Sequence, residues 1–472
     1  MNNSLQNTCG IVSAVGKTAI VSNIKAFAIA VFIGQAHSTF SHLFPGIRYQ
    51  NRLDRAGQHR KIITAVSGKN RFGLFATDLM LQKFNGLAFT RAHGEDIQQA
   101  DIDAVESVLR SDFLTQGPAV PRFEEAVADY CGARYGVAVN SATSALHIAC
   151  QALDLGPGDW LWTSPNTFVS SANCGRFCGA NVDFVDIDPH SYNMSVEQLA
   201  AKLEVAEQQG RLPKVVVPVH FAGQPCDMPT IGRLAKQYGF KVIEDASHAI
   251  GATCRGEPVG RCDHSDITVF SFHPVKIITT GEGGMAMTND EALAKRLQRL
   301  RTHGITRDPD QMTGTPDGPW YYEQVELGEN YRMTDLAAAL GASQLDRIDE
   351  YIARRHEIAQ RYDEALADLP ITTPWRDPQD RSALHLYPIL INDEAGKSRR
   401  EVFEALRAAG IGVNVHYIPV HTQPDYRRLG FAAGQFPVAE EYYAGAISIP
   451  MYPAMTDRDQ DVVIEALKAA LA

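Results

Sequence analysis

The 472-residue chain carries a formal net charge of −11, and 45% of its residues are hydrophobic. This length is enough for two or three domains around a large core. No run of about 18 uncharged apolar residues suggests a membrane-spanning helix. Residues 81–472 are acidic, formally −18, so they are not built to bind a polyanion and must meet an anionic ligand with local groups. We therefore predict no membrane partner and no nucleic-acid partner.

The cysteines indicate a reducing compartment. None of them forms a CxxC pair, and most lie in apolar context, which is typical of free thiols in a cytoplasmic protein of this size. Cys174 and Cys178 lie four residues apart, but no histidine or second cysteine pair accompanies them, so we predict a core role and no metal site. The eight cysteines are Cys9, Cys131, Cys150, Cys174, Cys178, Cys226, Cys254 and Cys262.

The first 85 residues differ from the rest of the chain. Residues 1–80 contain nine Lys and Arg against two acidic residues, a formal +7. Lys25 precedes an apolar run over residues 26–34, which resembles the core of a signal peptide but begins late. Three interpretations remain open: a cloning or start-site artefact, a disordered appendage, or a nucleic-acid-binding arm, for which basic charge alone is weak evidence. We predict that residues 1–86 form an atypical basic extension that is disordered or non-native.

From about residue 97 onward, segments typical of strands and helices alternate. Such alternation predicts an α/β fold with a mainly parallel sheet covered on both faces. In sheets of this kind, ligands bind at the carboxyl ends of the strands. We predict helices over residues 100–109 and 145–153, a turn-rich loop over 113–117, and seven strands over residues 135–139, 160–163, 182–185, 215–219, 241–243, 267–272 and 285–288.

The last part of the chain predicts a smaller α+β unit. Thr334 can cap a helix that carries leucines at helical spacing. We divide the chain into a large domain over residues 87–345 and a small C-terminal domain over residues 346–472. The elements predicted in the small domain are helices over 354–366, 399–409 and 459–471 and strands over 386–391 and 412–416.

Two residues at predicted strand ends carry the chemistry. Lys276 follows the apolar strand 267–272 and precedes Gly-Glu-Gly-Gly at 281–284, and Asp245 follows the strand 241–243. A lysine that holds an aldehyde as a Schiff base and a carboxylate that keeps a pyridine nitrogen protonated are what pyridoxal 5′-phosphate (PLP) chemistry requires. Burial would lower the pKa of Lys276 from about 10.4 toward neutrality. The alternatives are a surface lysine and an aspartate that caps a helix starting at Ala246.

A phosphate site is predicted where the strand 135–139 runs into a helix. The residues Ser-Ala-Thr-Ser at 141–144 open that helix, and the free amides and the helix dipole there favour an anion. The hydroxyl groups of Thr143 and Ser144 can add hydrogen bonds, and Ser271 can donate from the lysine-bearing loop. Simple helix capping by the same residues is the alternative.

Two more side chains are candidates for contacts with a pyridine ring. His248, three residues after Asp245, could reach the phenolic oxygen of the ring. Phe168, which follows another strand end, could stack on the ring face. Either residue could instead belong to the core.

These motifs together resemble the DegT/StrS-type nucleotide-sugar aminotransferases over residues 95–472. The resemblance implies a fold-type I PLP-dependent transferase that works as a homodimer. By this resemblance, Lys276 is the Schiff-base lysine and Asp245 is the partner of the ring nitrogen. Asn330 would reach the phosphate of the other subunit's cofactor. The supporting stretches are 135–149, 244–249, 271–276, 281–284 and 328–333.

Further stretches resemble the branch of the family that serves pseudaminic acid biosynthesis, namely 112–117, 384–389, 415–419 and 447–450. The resemblance implies a UDP-linked 4-keto-6-deoxy-N-acetylhexosamine as acceptor and L-glutamate as amino donor. Members usually carry a tyrosine before the first helix, whereas here Phe89 is the nearest aromatic. Together with the contacts predicted above, the cofactor contacts are Ala142, Thr143, Ser144, Phe168, Asp245, His248, Ser271 and Asn330. The resemblance also implies the substrate contacts Asp112, Phe113, Leu114, Thr115, Tyr417, Ile418, Pro419 and Val420.

Three other functions compete with this interpretation. The nearest is a sugar aminotransferase that accepts a different keto-sugar or nucleotide. A second is a PLP-dependent sugar dehydratase, against which Lys276 argues because a histidine takes the place of the lysine in that branch. The third is a non-catalytic sensor or DNA-binding regulator, which is disfavoured because the catalytic set is complete and residues 1–80 show no helix-turn-helix pattern.

Overall fold

The computed structural model describes residues 96–472 and, before them, two short strands, Ile47–Leu53 and His59–Ala65, which pair antiparallel. The chain divides into two compact units, residues 1–81 and 82–472. Apart from those two strands, the predictions for residues 1–86 fall outside the described residues. The proposed domain boundary at residues 345 and 346 stays a prediction.

A seven-stranded sheet forms the centre of the second unit. Its order is β1-β7-β6-β5-β4-β2-β3, and β7 runs antiparallel to both of its neighbours while the other neighbouring pairs are parallel. The strands are mostly buried, as expected for a sheet covered on both faces. The predicted α/β class with a mostly parallel seven-stranded sheet is confirmed. The strands are β1 (Tyr135–Val139), β2 (Trp160–Thr163), β3 (Asn181–Phe184), β4 (Val215–Val217), β5 (Lys241–Asp245), β6 (Ile267–Ser271) and β7 (Gly284–Thr288).

Helices cover both faces of the sheet, and separate hydrophobic clusters lie on its two sides. Several helices begin where a side chain satisfies a free amide: Ser141 caps α3, and Thr334 caps α8 as predicted. Cys174 and Cys178 pack in the core beside α3. The helices of this part are α1 (Gln99–Leu109), α2 (Ala119–Cys131), α3 (Ala142–Ala152), α4 (Ser170–Phe177), α5 (Val196–Gln208), α6 (Met228–Tyr238), α7 (Glu291–Leu300) and α8 (Asp335–Leu345).

The C-terminal residues build their own hydrophobic cluster from α9 onward, with Tyr362 and Tyr387 among its largest fully buried members. A three-stranded antiparallel sheet, in the order β8-β9-β10, lies beside the helices. Helix α9 begins six residues before the predicted start at residue 354. The elements are α9 (Ile348–Leu366), β8 (Ile371–Thr372), β9 (Tyr387–Ile391), α10 (Arg399–Ala408), α11 (Pro424–Arg427), α12 (Pro437–Gly445), β10 (Ala446–Ile449) and α13 (Asp457–Leu471).

The predicted strand over residues 412–416 is wrong. This segment makes a single bridge, between Asn414 and Ser448 of β10. The next amide, that of Val415, donates to the side chain of Asn414 at 2.8 Å instead of a neighbouring strand. A local side-chain bond of this kind competes with a strand ladder, and the segment is therefore a loop.

Within the part of the chain that the structure describes, no helix is both long and apolar enough to cross a membrane.

Candidate active site

A cavity of about 440 Å³ opens at the carboxyl edge of the sheet. Strands β1, β2, β5 and β6 all end at this edge, as strands of one direction must. The cavity is therefore at the place where ligands bind in sheets of this type. Among the residues predicted from the sequence, it brings together Ala142, Thr143, Phe168, Asp245, His248, Ser271, Lys276 and Tyr417.

Lys276 lies on the loop that follows β6. The base of this loop is closed by hydrogen bonds from the Phe272 amide to the Gly283 carbonyl, at 2.9 Å, and from the Thr280 amide to the Phe272 carbonyl, at 3.0 Å. Burial lowers the pKa of Lys276 to about 8, and the nearby Asp245 carboxylate acts in the opposite direction. Roughly a tenth of such an amine is neutral at pH 7, so Lys276 is able to attack an aldehyde.

Asp245 is the last residue of β5, and its side chain is held on both oxygens. Oδ2 accepts a hydrogen bond from the hydroxyl of Ser171 at 2.6 Å, and Oδ1 accepts one from the amide of Ser247 at 3.1 Å. Only 4% of the residue is exposed. The residues after it form turns and not a helix, so the helix-capping alternative for Asp245 is wrong. The carboxylate is fixed and faces the same cavity as Lys276.

His248 and Tyr417 form a pair on the wall of the cavity. Burial, and then Lys276, hold the pKa of His248 well below its usual range, so the ring is neutral. Its Nδ1 accepts from the Ala222 amide at 3.3 Å, and its Nε2 lies 3.1 Å from the Tyr417 hydroxyl. With Nδ1 as acceptor, Nε2 carries the proton and donates to the tyrosine oxygen. The Tyr417 hydroxyl can then donate to a ligand in the cavity.

The start of α3 lies at the wall of the cavity. Ala142 and Thr143 line the cavity, and the Ser141 hydroxyl accepts the amide of Ser144 at 3.1 Å. Gly284 of β7 passes so close that a Cβ there would lie 2.5 Å from the Ala142 nitrogen. Only glycine allows this approach. The free amides and the positive end of the helix dipole suit a phosphate group.

Several predicted residues do not line this cavity in their own chain. The Ser144 hydroxyl is turned toward the Asn140 side chain, to which it donates at 2.7 Å. Val420 is fully buried in the core, and its amide donates to the Pro165 carbonyl. The roles predicted for all the residues that do not line the cavity stay predictions. Besides Ser144 and Val420, the group consists of Asp112, Phe113, Leu114, Thr115, Asn330 and Ile418, which are exposed, and Pro419, which is buried.

Sequence reasoning missed several residues of the site, four of which bear on its chemistry. Ser171 and Ser247 orient Asp245, and Asn414 and His416 line the cavity. Ser171 could have been found, because it lies in the first turn of the helix that follows β2. In such sheets, ligands bind at the carboxyl ends of the strands, and this turn lies at one of those ends. Asn414 and His416 belong to the segment 412–416, which was wrongly predicted as a strand. The local sequence pattern of this segment does not predict that it lies at the cavity.

The residues present fit PLP. Lys276 supplies a partly neutral amine, Asp245 a fixed carboxylate for a ring nitrogen, and the start of α3 a set of free amides for a phosphate. Phe168, 57% exposed and lining the cavity, offers an aromatic face. Residues 96–472 hold no group of three or more His, Cys, Asp or Glu side chains arranged to bind an ion.

Fold and site thus define a fold-type I PLP-dependent enzyme. The model of the DegT/DnrJ/EryC1/StrS aminotransferase family matches residues 95–468, and the chain belongs to that family. Its members are PLP-dependent aminotransferases.

Several relatives and solved structures are similar to the chain. The spore coat polysaccharide biosynthesis protein SpsC of Bacillus subtilis is 42% identical over 79% of this chain and 94% of its own length. The UDP-4-amino-4,6-dideoxy-N-acetyl-β-L-altrosamine transaminase of Campylobacter jejuni is 38% identical, over 80% and 96%. GDP-perosamine synthase of Caulobacter vibrioides is 37% identical, over 75% and 91%.

Among solved structures, Helicobacter pylori PseC, an aminotransferase involved in the biosynthesis of pseudaminic acid, superposes with a TM-score of 0.73 at 29% identity. The match covers 80% of this chain and 98% of PseC. The PLP form of the sugar aminotransferase Spr1654 from Streptococcus pneumoniae superposes with a TM-score of 0.71 at 30% identity, over 80% and 97%. The chain is therefore an aminotransferase in fold and family.

Proposed function

We propose that the chain transfers an amino group from L-glutamate to C4 of UDP-2-acetamido-2,6-dideoxy-β-L-arabino-hex-4-ulose. The product would be UDP-4-amino-4,6-dideoxy-N-acetyl-β-L-altrosamine, a precursor of pseudaminic acid. The observation that carries the aminotransferase chemistry is the shared cavity of Lys276 and Asp245. The choice of sugar is supported by the similarity to the Campylobacter transaminase and to PseC.

Lys276, Asp245 and the start of α3 each have a task in this reaction. When bound, PLP supplies an aldehyde that takes up the amino group and a protonated ring that accepts electrons. Asp245 holds the proton on the ring nitrogen, and the start of α3 binds the phosphate. Nζ of Lys276, partly neutral at pH 7, takes the proton from the α carbon of the amino donor and later delivers a proton to C4 of the sugar.

The second candidate is a sugar aminotransferase of the same family with a different keto-sugar or nucleotide. The similarity to SpsC and to GDP-perosamine synthase supports this second candidate. Stereochemistry at the sugar is decided by loops around the cavity, and family membership does not fix it.

The test is a panel of UDP- and GDP-linked 4-keto sugars, each incubated with L-glutamate and the holoenzyme and analysed by mass spectrometry. The proposal predicts amination of the L-arabino-hexulose at least about tenfold faster than of the other sugars. Equal or faster turnover of another sugar would favour the second candidate. A Lys276→Ala variant serves as the negative control and should form no product.

We also propose that the enzyme is a homodimer whose sites are shared between subunits. Asn330 and residues 112–115 are exposed and are not among the residues that line the cavity of their own chain. Such positions suit residues that reach a neighbouring subunit.

A further inference from the structure

The short turn Phe221–Gly223 packs against the pair that His248 and Tyr417 form on the cavity wall. Its middle residue, Ala222, has a φ of 56°. This left-handed conformation is unfavourable for a residue that carries a Cβ, and residues held in it cluster at functional sites. Such strain persists only where surrounding contacts fix the residue. The turn is therefore a part of the site that the rest of the structure holds in place.

The conformation of Ala222 directs its backbone amide at His248. The amide donates a hydrogen bond to Nδ1 of the ring at 3.3 Å. An amide N–H can only donate, so Nδ1 is held without a proton and the proton of the neutral ring stays on Nε2. Nε2 lies 3.1 Å from the Tyr417 hydroxyl, to which it then donates. In the other tautomer, Nε2 would accept the tyrosine proton, and the hydroxyl could no longer offer that proton to a ligand.

The side chain of Asn193 holds the backbone on both sides of Ala222. Asn193 is buried, with 3% of the residue exposed. Its Oδ1 accepts the amide of Phe221 at 2.8 Å, and its Nδ2 donates to the carbonyls of Gln224 and Pro225 at 2.9 and 3.0 Å. The reversed carboxamide would set donor against donor and acceptor against acceptor. The side chain therefore has a single orientation, and it fixes the path of the turn.

We propose that Asn193 is a positioning residue: by holding the turn at Ala222, it fixes the tautomer of His248. The Tyr417 hydroxyl is then free to donate to an acceptor oxygen of a bound ligand. This inference rests on the proposed aminotransferase function. Asn193 lies in the segment between β3 and α5 and is not among the residues that line the cavity. Its effect on the reaction therefore passes through the turn, the imidazole ring and the tyrosine hydroxyl, in that order.

The tautomer can be measured in the native apoenzyme, with neither cofactor nor substrate present. Nitrogen NMR of the enzyme labelled at histidine, with the His248 signals assigned through their loss in His248→Gln, should find the proton on Nε2. In Asn193→Ala we expect both tautomers to be populated. A proton on Nδ1 in the native enzyme would overturn the proposal even if the variant does not fold, and so would an unchanged tautomer in a folded variant. Because no sugar enters this measurement, the role of Asn193 in setting the tautomer can stand if the sugar panel gives no product.

A double-mutant cycle tests whether Asn193 acts through Tyr417. Asn193→Ala should lower kcat about tenfold, the effect of losing one hydrogen bond to the ligand. In a Tyr417→Phe background the same change should lower kcat less than about twofold, because the hydroxyl that transmits the effect is already gone. Equal losses in both backgrounds would show that Asn193 has only a structural role.

The matched control is Gln460→Ala. Gln460 is also a buried carboxamide, 1% exposed, and its Nε2 donates to the Ile358 carbonyl at 2.7 Å. It does not line the cavity. This variant should lower the Tm, as Asn193→Ala does, and leave both kcat and the His248 tautomer unchanged. A comparable loss of kcat in the control would mean that reduced stability alone explains the effect of Asn193→Ala, and would overturn the proposal.

Discussion

The pKa of a single side chain, Lys276, sets the pH range in which this site can work. The lysine is charged below its pKa and neutral above it, and only the neutral amine attacks an aldehyde. Burial shifts that transition from about 10.5 to about 8. The site therefore holds a usable fraction of neutral amine near neutral pH.

This shift predicts the pH dependence of cofactor attachment. The rate at which the apoenzyme binds PLP covalently should rise with pH and level off above a midpoint of about 8. Stopped-flow absorbance measures the rate, and borohydride reduction followed by mass spectrometry should find the pyridoxyl group on Lys276. A midpoint near 10, or a label on another lysine, would contradict the assignment. Lys241→Ala, which removes an exposed lysine paired with Asp266, is the control and should change neither result.

The hydroxyl of Ser171 is a positioning group that acts through Asp245. We expect Ser171→Ala to lower kcat by about 10- to 100-fold, because a hydrogen bond to a charged group is lost and the carboxylate can turn. A change in the cofactor absorbance should accompany the loss of rate. The matched control is Ser343→Ala, which removes a serine–aspartate bond of 2.7 Å to Asp101, because neither residue lines the cavity. If both variants lose stability but neither loses kcat, Ser171 has only a structural role.

At the scale of elements, the strand ends explain why the site could be predicted in part. Lys276, Asp245 and the start of α3 each lie at or just after the end of a strand with an apolar centre, and parallel strands bring their carboxyl ends to one edge. The sequence pattern did not predict that β7 runs antiparallel to its neighbours, nor that the segment around Asn414 is a loop. Both features depend on pairing between residues that are distant in the sequence. The bond between Ser171 and Asp245, 74 residues apart, was hidden for the same reason.

The close passage of β7 beside α3 gives a prediction at this scale. Gly284→Ala would place a Cβ 2.5 Å from the Ala142 nitrogen, and we expect about 1–3 kcal/mol of destabilisation together with PLP affinity at least about tenfold weaker. Spectroscopic titration of the apoenzyme with PLP measures the affinity. Gly156→Ala is the control, because no atom lies within 4 Å of its added Cβ. A stable Gly284→Ala variant with normal affinity would show that the start of α3 does not bind the phosphate.

For the whole molecule, the proposed homodimer makes a prediction about mixed subunits. Lys276→Ala and Asn330→Ala should each be inactive alone, because one lacks the catalytic lysine and the other a residue for the partner's cofactor. Dimers reassembled from an equal mixture should regain about a quarter of native activity, since half are mixed and each mixed dimer has one intact site. Gel filtration of the native chain should give a dimer. No recovery on mixing would mean that each site is complete within one chain.

The loop that contains Asn414, His416 and Tyr417 borders the cavity of the candidate active site and also a smaller cavity of about 300 Å³. Exchanging this segment to redirect the enzyme toward another sugar would reshape the smaller cavity in the same step. Efforts to broaden its use in carbohydrate synthesis are better aimed at Ser170, which lines the first of these cavities and not the second.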